Sequence, residues 1–146
     1  MEKQEFKVFI NAPRERVWDV LWNDTTYPAW TAVFSEGSRA VTDWKKGSKV
    51  LFVDGQGSGM VSTIAESKPA EFMSFKHLGM IKDGVEDTTS DEVKKWAGAV
   101  ESYSLKPADG NTELTVQIDL SEEWKDYFVT TFPKALDKVK ELAEKN

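Results

Sequence analysis

The sequence predicts an α+β domain in which a curved antiparallel sheet of about six to seven strands wraps around one long C-terminal helix, with one or two short helices after the first strand. Three observations carry this. Apolar residues in 121–145 recur at Trp124, Phe128, Phe132, Leu136, Val139 and Leu142, every three or four positions, which draws one stripe along a helix. Between 35 and 120 the period changes to two, as in strands with one buried face. The strand segments are joined by short Gly-, Pro- and Asp-rich turns, so sequential strands must lie antiparallel, and a helix with one apolar face must cover their sheet.

Taken in order, residues 5–10 alternate with Phe6, Val8 and Ile10 on one face and form a first strand. Pro13 suits the first position of a short helix whose apolar face is Val17, Trp18, Leu21 and Trp22. Asn23 and Asp24 end it, Asp24 is placed to cap a further turn towards Tyr27, and Pro28, Trp30 and Phe34 follow in an aromatic connection. Strands are expected at 35–43, 48–54, 59–66, 71–78, 96–106 and 113–120, with turns at 45–47, 54–57, 68–70 and 108–111. The acidic interval 79–95 is too long for a tight hairpin and reads as a lid or flexible loop, with one helical turn starting at 89–92. In the final helix Ser121 is the N-cap, Glu122 and Glu123 sit on the first turn, and lysines load the C-terminal half, all in accord with the helix dipole. Pro133 removes one backbone hydrogen bond there and predicts a kink near 129–132. The arrangement is a helix grip, a form in which space tends to open between sheet and helix.

At 146 residues the chain reads as a single domain, 1–146, able to bury roughly 70% of its unfolded surface. No apolar run approaches the ~18 residues of a membrane span, and the first residues lack a signal peptide's apolar core, so the expected location is the cytoplasm. The absence of cysteine excludes disulfides, cysteine metal sites and thiol chemistry. A net charge of −6 without a basic patch argues against nucleic acid as a partner. Six tryptophans are unusual, and such side chains bury much apolar surface yet need a partner for each indole N–H, so they often line cavities and interfaces.

Four stretches carry a resemblance: INAPRERVWDVLW at 10–22, DWKKGSKVLF at 43–52, GMVSTIAESKPAEFMSFKH at 59–77 and YSLKPADGNTELTV at 103–116. In this order they resemble the START/Bet v 1-like (SRPBCC) superfamily, and within it the branch related to the activator of Hsp90 ATPase. The resemblance implies the fold and a cavity. It does not fix the function, since relatives include lipid and hormone carriers, polyketide cyclases and a co-chaperone.

Matching that pattern puts Met73, Phe75 and His77 on the cavity face, and the alternation through Leu105, Tyr103, Glu101, Ala99 and Ala97 puts those residues on the same face of a neighbouring strand. His77, Glu101 and Tyr103 are then the candidates for acid–base work or for orienting a polar ligand group. The same three residues also read as a satisfied buried polar set. Trp30, Phe34, Trp44, Phe52, Met60, Phe75, Trp96, Tyr103, Phe128 and Phe132 come from separate elements and are expected, with His77, to line a pocket for a small hydrophobic, aromatic or lipid-like molecule. A closed core is the competing reading. No metal site or cofactor is implied: one His and the acidic run Asp83, Glu86, Asp87, Asp91 and Glu92 do not make an EF-hand loop. The glycines at 55–59 are followed by neither a helix nor a Lys-Ser/Thr pair and read as a hairpin turn. Ser102 and Ser104 point away from Tyr103, so no hydrolase triad is predicted. The functions compared are therefore a ligand carrier, a cyclase- or dehydratase-type enzyme, and a co-chaperone whose surface meets a protein partner. A monomer or weak homodimer is expected, because an exposed edge strand is the one obvious pairing surface.

Overall fold

The computed structural model describes residues 1–145. The chain runs β1 (Glu2–Ile10), α1 (Arg14–Trp22), α2 (Tyr27–Thr31), β2 (Arg39–Val41), β3 (Lys49–Val53), β4 (Gly59–Lys68), β5 (Phe72–Lys82), β6 (Val85–Asp87), α3 (Asp91–Lys94), β7 (Val100–Ala108), β8 (Asn111–Leu120) and α4 (Glu122–Glu144). The strands form one antiparallel sheet in the order β1-β8-β7-β5-β4-β3-β2, with β6 paired to the far end of β5. This is the predicted α+β helix grip. The long helix α4 packs against β1, α1 and α2 and closes the inner face of the sheet.

Alternation along β8 shows why the sheet has an inside: Thr112, Leu114, Val116, Ile118 and Leu120 are buried while the residues between them are not. They join Ile10, Ile64, Met73, Phe75, Phe132, Leu136 and Val139 in one core between sheet and helices. A smaller cluster of Val53, Val61 and Ile81 sits on the outer face. Among the described residues no helix is long and apolar enough to cross a membrane.

Several expectations need correction. The interval 79–95 is mostly ordered secondary structure. β5 continues to Lys82, turns at Asp83 (φ 49°) and Gly84 (φ 82°), and returns as β6. Two consecutive positive φ angles make the type I′ hairpin turn that Asp-Gly favours. Gly79 lets β6 close in, since a Cβ there would stand 2.1 Å from the Asp87 carbonyl oxygen. The expected helical turn is α3, capped by Ser90, whose hydroxyl accepts from the Val93 N–H.

The strand expected at 35–43 shrinks to Arg39–Val41, because 31–38 is taken up by consecutive hydrogen-bonded turns and Gly37 stands at φ 74°. The strand expected at 96–106 begins only at Val100: Trp96 and Ala97 continue the turn after α3, and Gly98 has φ 95°. Ala99 is buried, as the alternation required, but Ala97 is exposed. Helix α4 continues through Pro133, which faces solvent. Its buried stripe starts only at Thr131 and Phe132; Phe128 is half-buried against the core and Trp124 is half exposed.

Candidate functional site

The partners of β5 change beside His77. On one edge β5 pairs with β7 from Phe72 to Lys76, and with β6 from Met80 to Lys82. His77 lies in the gap, where its N–H donates to the Ala99 carbonyl at 2.9 Å and its carbonyl accepts from the Gly98 N–H at 2.8 Å. On the other edge the β4–β5 register slips between Val61 and Ser62. Such a bulge re-aims side chains, and here it sets Ser62 directly opposite His77.

The result is a chain of four polar side chains on the inner face. Ser62 Oγ lies 2.6 Å from His77 Nδ1, His77 Nε2 lies 3.1 Å from Glu101 Oε1, and the Tyr103 hydroxyl donates to Glu101 Oε2 at 2.5 Å. Ser62, His77 and Tyr103 are buried, while the Glu101 side chain keeps 17% of its surface exposed. An ionised Glu101 accepts from both neighbours. With neutral imidazole, Nε2 then carries the proton, leaving Nδ1 to accept from the Ser62 hydroxyl. Burial first, and the Glu101 carboxylate second, push the Tyr103 phenol well above its ordinary value. Tyr27 is raised by the same two causes in the same order. Both therefore remain hydrogen-bond donors at neutral pH. The order Ser–His–acid invites comparison with a catalytic triad, but Ser62 has no exposed surface through which to reach a substrate. What the set offers is a carboxylate held by two donors with acceptor capacity to spare.

The surroundings are aromatic. Trp22 meets Tyr103 at 5.0 Å and 82°, Phe75 at 5.5 Å and 72°, and Trp44 at 5.0 Å and 42°. Phe52 stands 5.1 Å from Phe75 and 6.2 Å from the His77 ring. Tyr27 lies against Trp30 at 5.5 Å. Further along α4, Phe132 stacks on Phe6 at 5.0 Å and meets Phe34 edge-on at 5.2 Å. Of the residues expected to line a pocket, Trp30, Phe75, His77, Tyr103 and Phe132 are buried, and Phe34, Trp44, Phe52 and Phe128 are half-buried against them. Met60 and Trp96 are half-buried and stand apart from this core among the described residues. The rings thus touch one another where an open cavity was expected. Two depressions, of about 290 and 350 Å³, open at the margins: one at the C-terminal end of α1, partly lined by Trp22 and Trp44 of this aromatic set, and one at the β5–β6 hairpin.

Trp44 holds φ at 61°, a left-handed backbone that costs a bulky residue on the order of 1–3 kcal/mol. Sequence reasoning missed Trp22, Tyr27 and Ser62 as parts of this site. Trp22 was visible on the apolar face of its helix, but nothing in the pattern marked Ser62, whose position depends on the bulge.

The family described as activator of Hsp90 ATPase homolog 1-like protein matches residues 11–144. No curated protein matches the chain. Among solved structures, the Aha1 dimer from Colwellia psychrerythraea superposes with a TM-score of 0.75 at 16% identity, covering 99% of this chain and 97% of that one. A protein from Cytophaga hutchinsonii gives 0.72 at 20% identity, with 99% and 94% covered. DynU16, a putative protein of the dynemicin biosynthetic locus, gives 0.73 at 13% identity and covers 99% of this chain but 48% of its own. Identities this low establish a shared fold and no more.

Proposed function

We propose a ligand-binding function, starting from the premise that this chain belongs to the family of activator of Hsp90 ATPase homolog 1-like proteins. It holds a small hydrophobic or aromatic molecule between the sheet and α4, with Glu101, His77 and Tyr103 orienting the molecule's polar end. The supporting observation is Glu101 itself: a carboxylate set into an aromatic wall, fixed by two donors and still partly open. Burying polar groups among rings costs free energy that an all-apolar core would not, so their presence here calls for a use. A ligand hydroxyl or N–H would take the spare acceptor sites. Because the rings are in contact, entry requires the half-buried residues Phe34, Trp44, Phe52 and Phe128 to move aside. A cytoplasmic location and a monomer or weak homodimer belong to the same reading.

The test is thermal shift and titration with a panel of phenols, aromatic polyketides and fatty acids, on wild type and Glu101→Gln. The reading expects a ligand whose affinity falls at least about tenfold in the variant, roughly the worth of a charge-assisted hydrogen bond. A panel without effect on either protein would overturn it. Turnover of a bound ketone, lost in His77→Gln at unchanged affinity, would convert the carrier into a cyclase-type enzyme.

A second reading has its own observation. Val33, Trp124 and Tyr127 expose large apolar surface around the start of α4, and Tyr127 donates to the Phe34 carbonyl at 3.0 Å, tying helix to loop. Such a patch suits a protein partner of the kind the family's description names. Stimulation of an Hsp90-type ATPase that is lost on Trp124→Ala would support it, and no stimulation by wild type would remove it.

A further inference from the structure

The polar chain on the inner face leaves out one neighbour, Tyr27 at the start of α2. Its backbone is pinned at both ends: the N–H donates to the Asn23 carbonyl at 2.8 Å, and the carbonyl accepts from the Thr31 hydroxyl at 2.6 Å. Trp22 and Trp30 lie against both buried tyrosines, their centroids 6.5 and 5.5 Å from the Tyr27 ring and 5.0 and 6.4 Å from the Tyr103 ring. Phe52 joins Tyr27 to the His77 ring in the same way, at 6.4 and 6.2 Å.

Of the three tyrosines, Tyr103 donates to Glu101 and Tyr127 to the Phe34 carbonyl, whereas the Tyr27 hydroxyl has no hydrogen-bond partner among the described residues. Tyr27 is 8% exposed, and a phenol so enclosed ordinarily has one. The Glu101 carboxylate, second to burial, raises the Tyr27 phenol, and Tyr27 in turn acts on Tyr103, so the three groups share one electrostatic space. Glu101 itself remains partly open. No lysine or arginine is buried among the described residues, and His77, the one buried side chain there able to carry positive charge, is engaged by Ser62 and Glu101.

An open carboxylate beside an open phenol selects its ligand by chemistry. A hydroxyl donates and accepts through one atom and so answers both. A ketone or ether oxygen leaves Glu101 unanswered. A carboxylate brings a second negative charge to Glu101 with no cation between them. An ammonium has to give up water for three donors within a wall of rings.

We infer that the site takes a neutral hydroxyl carried on an aromatic ring, the ligand O–H donating to Glu101 and its oxygen accepting from the Tyr27 hydroxyl, and that it rejects acids. The inference rests on the ligand-binding reading above, narrows it to one class, and adds Tyr27 to the residues that hold the ligand.

The experiment titrates five probes of one skeleton against the protein, followed by tryptophan fluorescence and calorimetry: 2-naphthol, 2-methoxynaphthalene, 2-methylnaphthalene, 2-naphthoate and 2-naphthylmethylammonium. Naphthol should bind at least about tenfold tighter than 2-methylnaphthalene, which has neither donor nor acceptor. Tyr27→Phe, which keeps the ring, should weaken naphthol and the methyl ether about three- to tenfold. Glu101→Gln should weaken naphthol about tenfold and admit naphthoate. Binding of 2-methylnaphthalene, unchanged in both variants, reports that the ring wall is intact. Naphthol held no tighter than 2-methylnaphthalene, naphthoate or the ammonium bound as tightly as naphthol, or naphthol affinity unchanged in Tyr27→Phe would each overturn the inference while leaving a ligand-binding protein. Binding of none of the five would overturn it together with the function it rests on.

Discussion

Replacing Phe132 by Ala tests directly whether the space between sheet and helix is filled. Phe132 is 2% exposed, stacks on Phe6, meets Phe34 edge-on and leans on Phe128. Removing a ring so enclosed leaves a void that its neighbours cannot collapse into, and the loss should be about 3–5 kcal/mol. For a chain of this size that lowers the melting temperature by roughly 6–20 °C. Phe128→Ala, four residues earlier on the same helix and only half-buried, supplies the comparison at about 1–2 kcal/mol. Both variants gain the same helix propensity, so that contribution cancels in the difference. Urea unfolding with unchanged m-values gives the two numbers. A cost for Phe132→Ala below about 1.5 kcal/mol, or no greater than that of Phe128→Ala, would show that one side of the ring already faces empty space, and the packed description would fail. If the void forms, it is apolar and should admit a small aromatic such as benzene, restoring part of the stability.

Three further expectations follow from the same geometry. Ser62→Ala leaves His77 Nδ1 buried without its donor and should cost about 1–3 kcal/mol, whereas Ser104→Ala, on the other face of the sheet, should stay within about 0.5 kcal/mol; urea unfolding distinguishes them. Tyr27 and Tyr103 both have folded-state values raised above 10.0, so the stability they contribute is complete below pH 10 and is lost as the unfolded chain ionises above it. Unfolding free energy should therefore fall steeply above pH 10, and less steeply in Tyr27→Phe; an identical slope in the two would refute the assignment. Pro133→Ala restores a backbone donor at an exposed helix position and should stabilise by about 1–2 kcal/mol after the extra freedom of the unfolded chain is counted; a destabilised variant would mean that the proline shapes the helix usefully.

The sequence made most of the architecture legible because most of its local signals agree with the fold. Alternation placed β8 and the inner faces of β5 and β7, Asp109-Gly110 placed a two-residue turn, and Ser90 announced the start of α3. Asp83-Gly84 carried the same hairpin signal as Asp109-Gly110, but the acidic composition around it suggested a loop. Trp96 continued an apparent strand alternation, yet Gly98 at φ 95° breaks the chain direction first. The family resemblance puts His77 on the inner face and strand alternation puts Glu101 and Tyr103 there, and the structure brings the three within hydrogen-bonding distance. Ser62 was out of reach because its alignment depends on a slip between β4 and β5, which is a property of two strands and not of either. The first turns of α4 misled in the opposite way: Trp124 keeps the helical period, yet it stays half exposed. Whether the rings enclose a pocket was equally illegible, since a filled interior and a lined cavity use the same residues.

The most direct test of the binding function is mass spectrometry of the gently purified protein, native against denatured. The account predicts a native mass that exceeds the denatured one by a small organic molecule, present in wild type and depleted in Glu101→Gln. A bare native mass in both, together with unchanged melting across the ligand panel, would contradict it and leave Ser62, His77, Glu101 and Tyr103 as parts of a closed core.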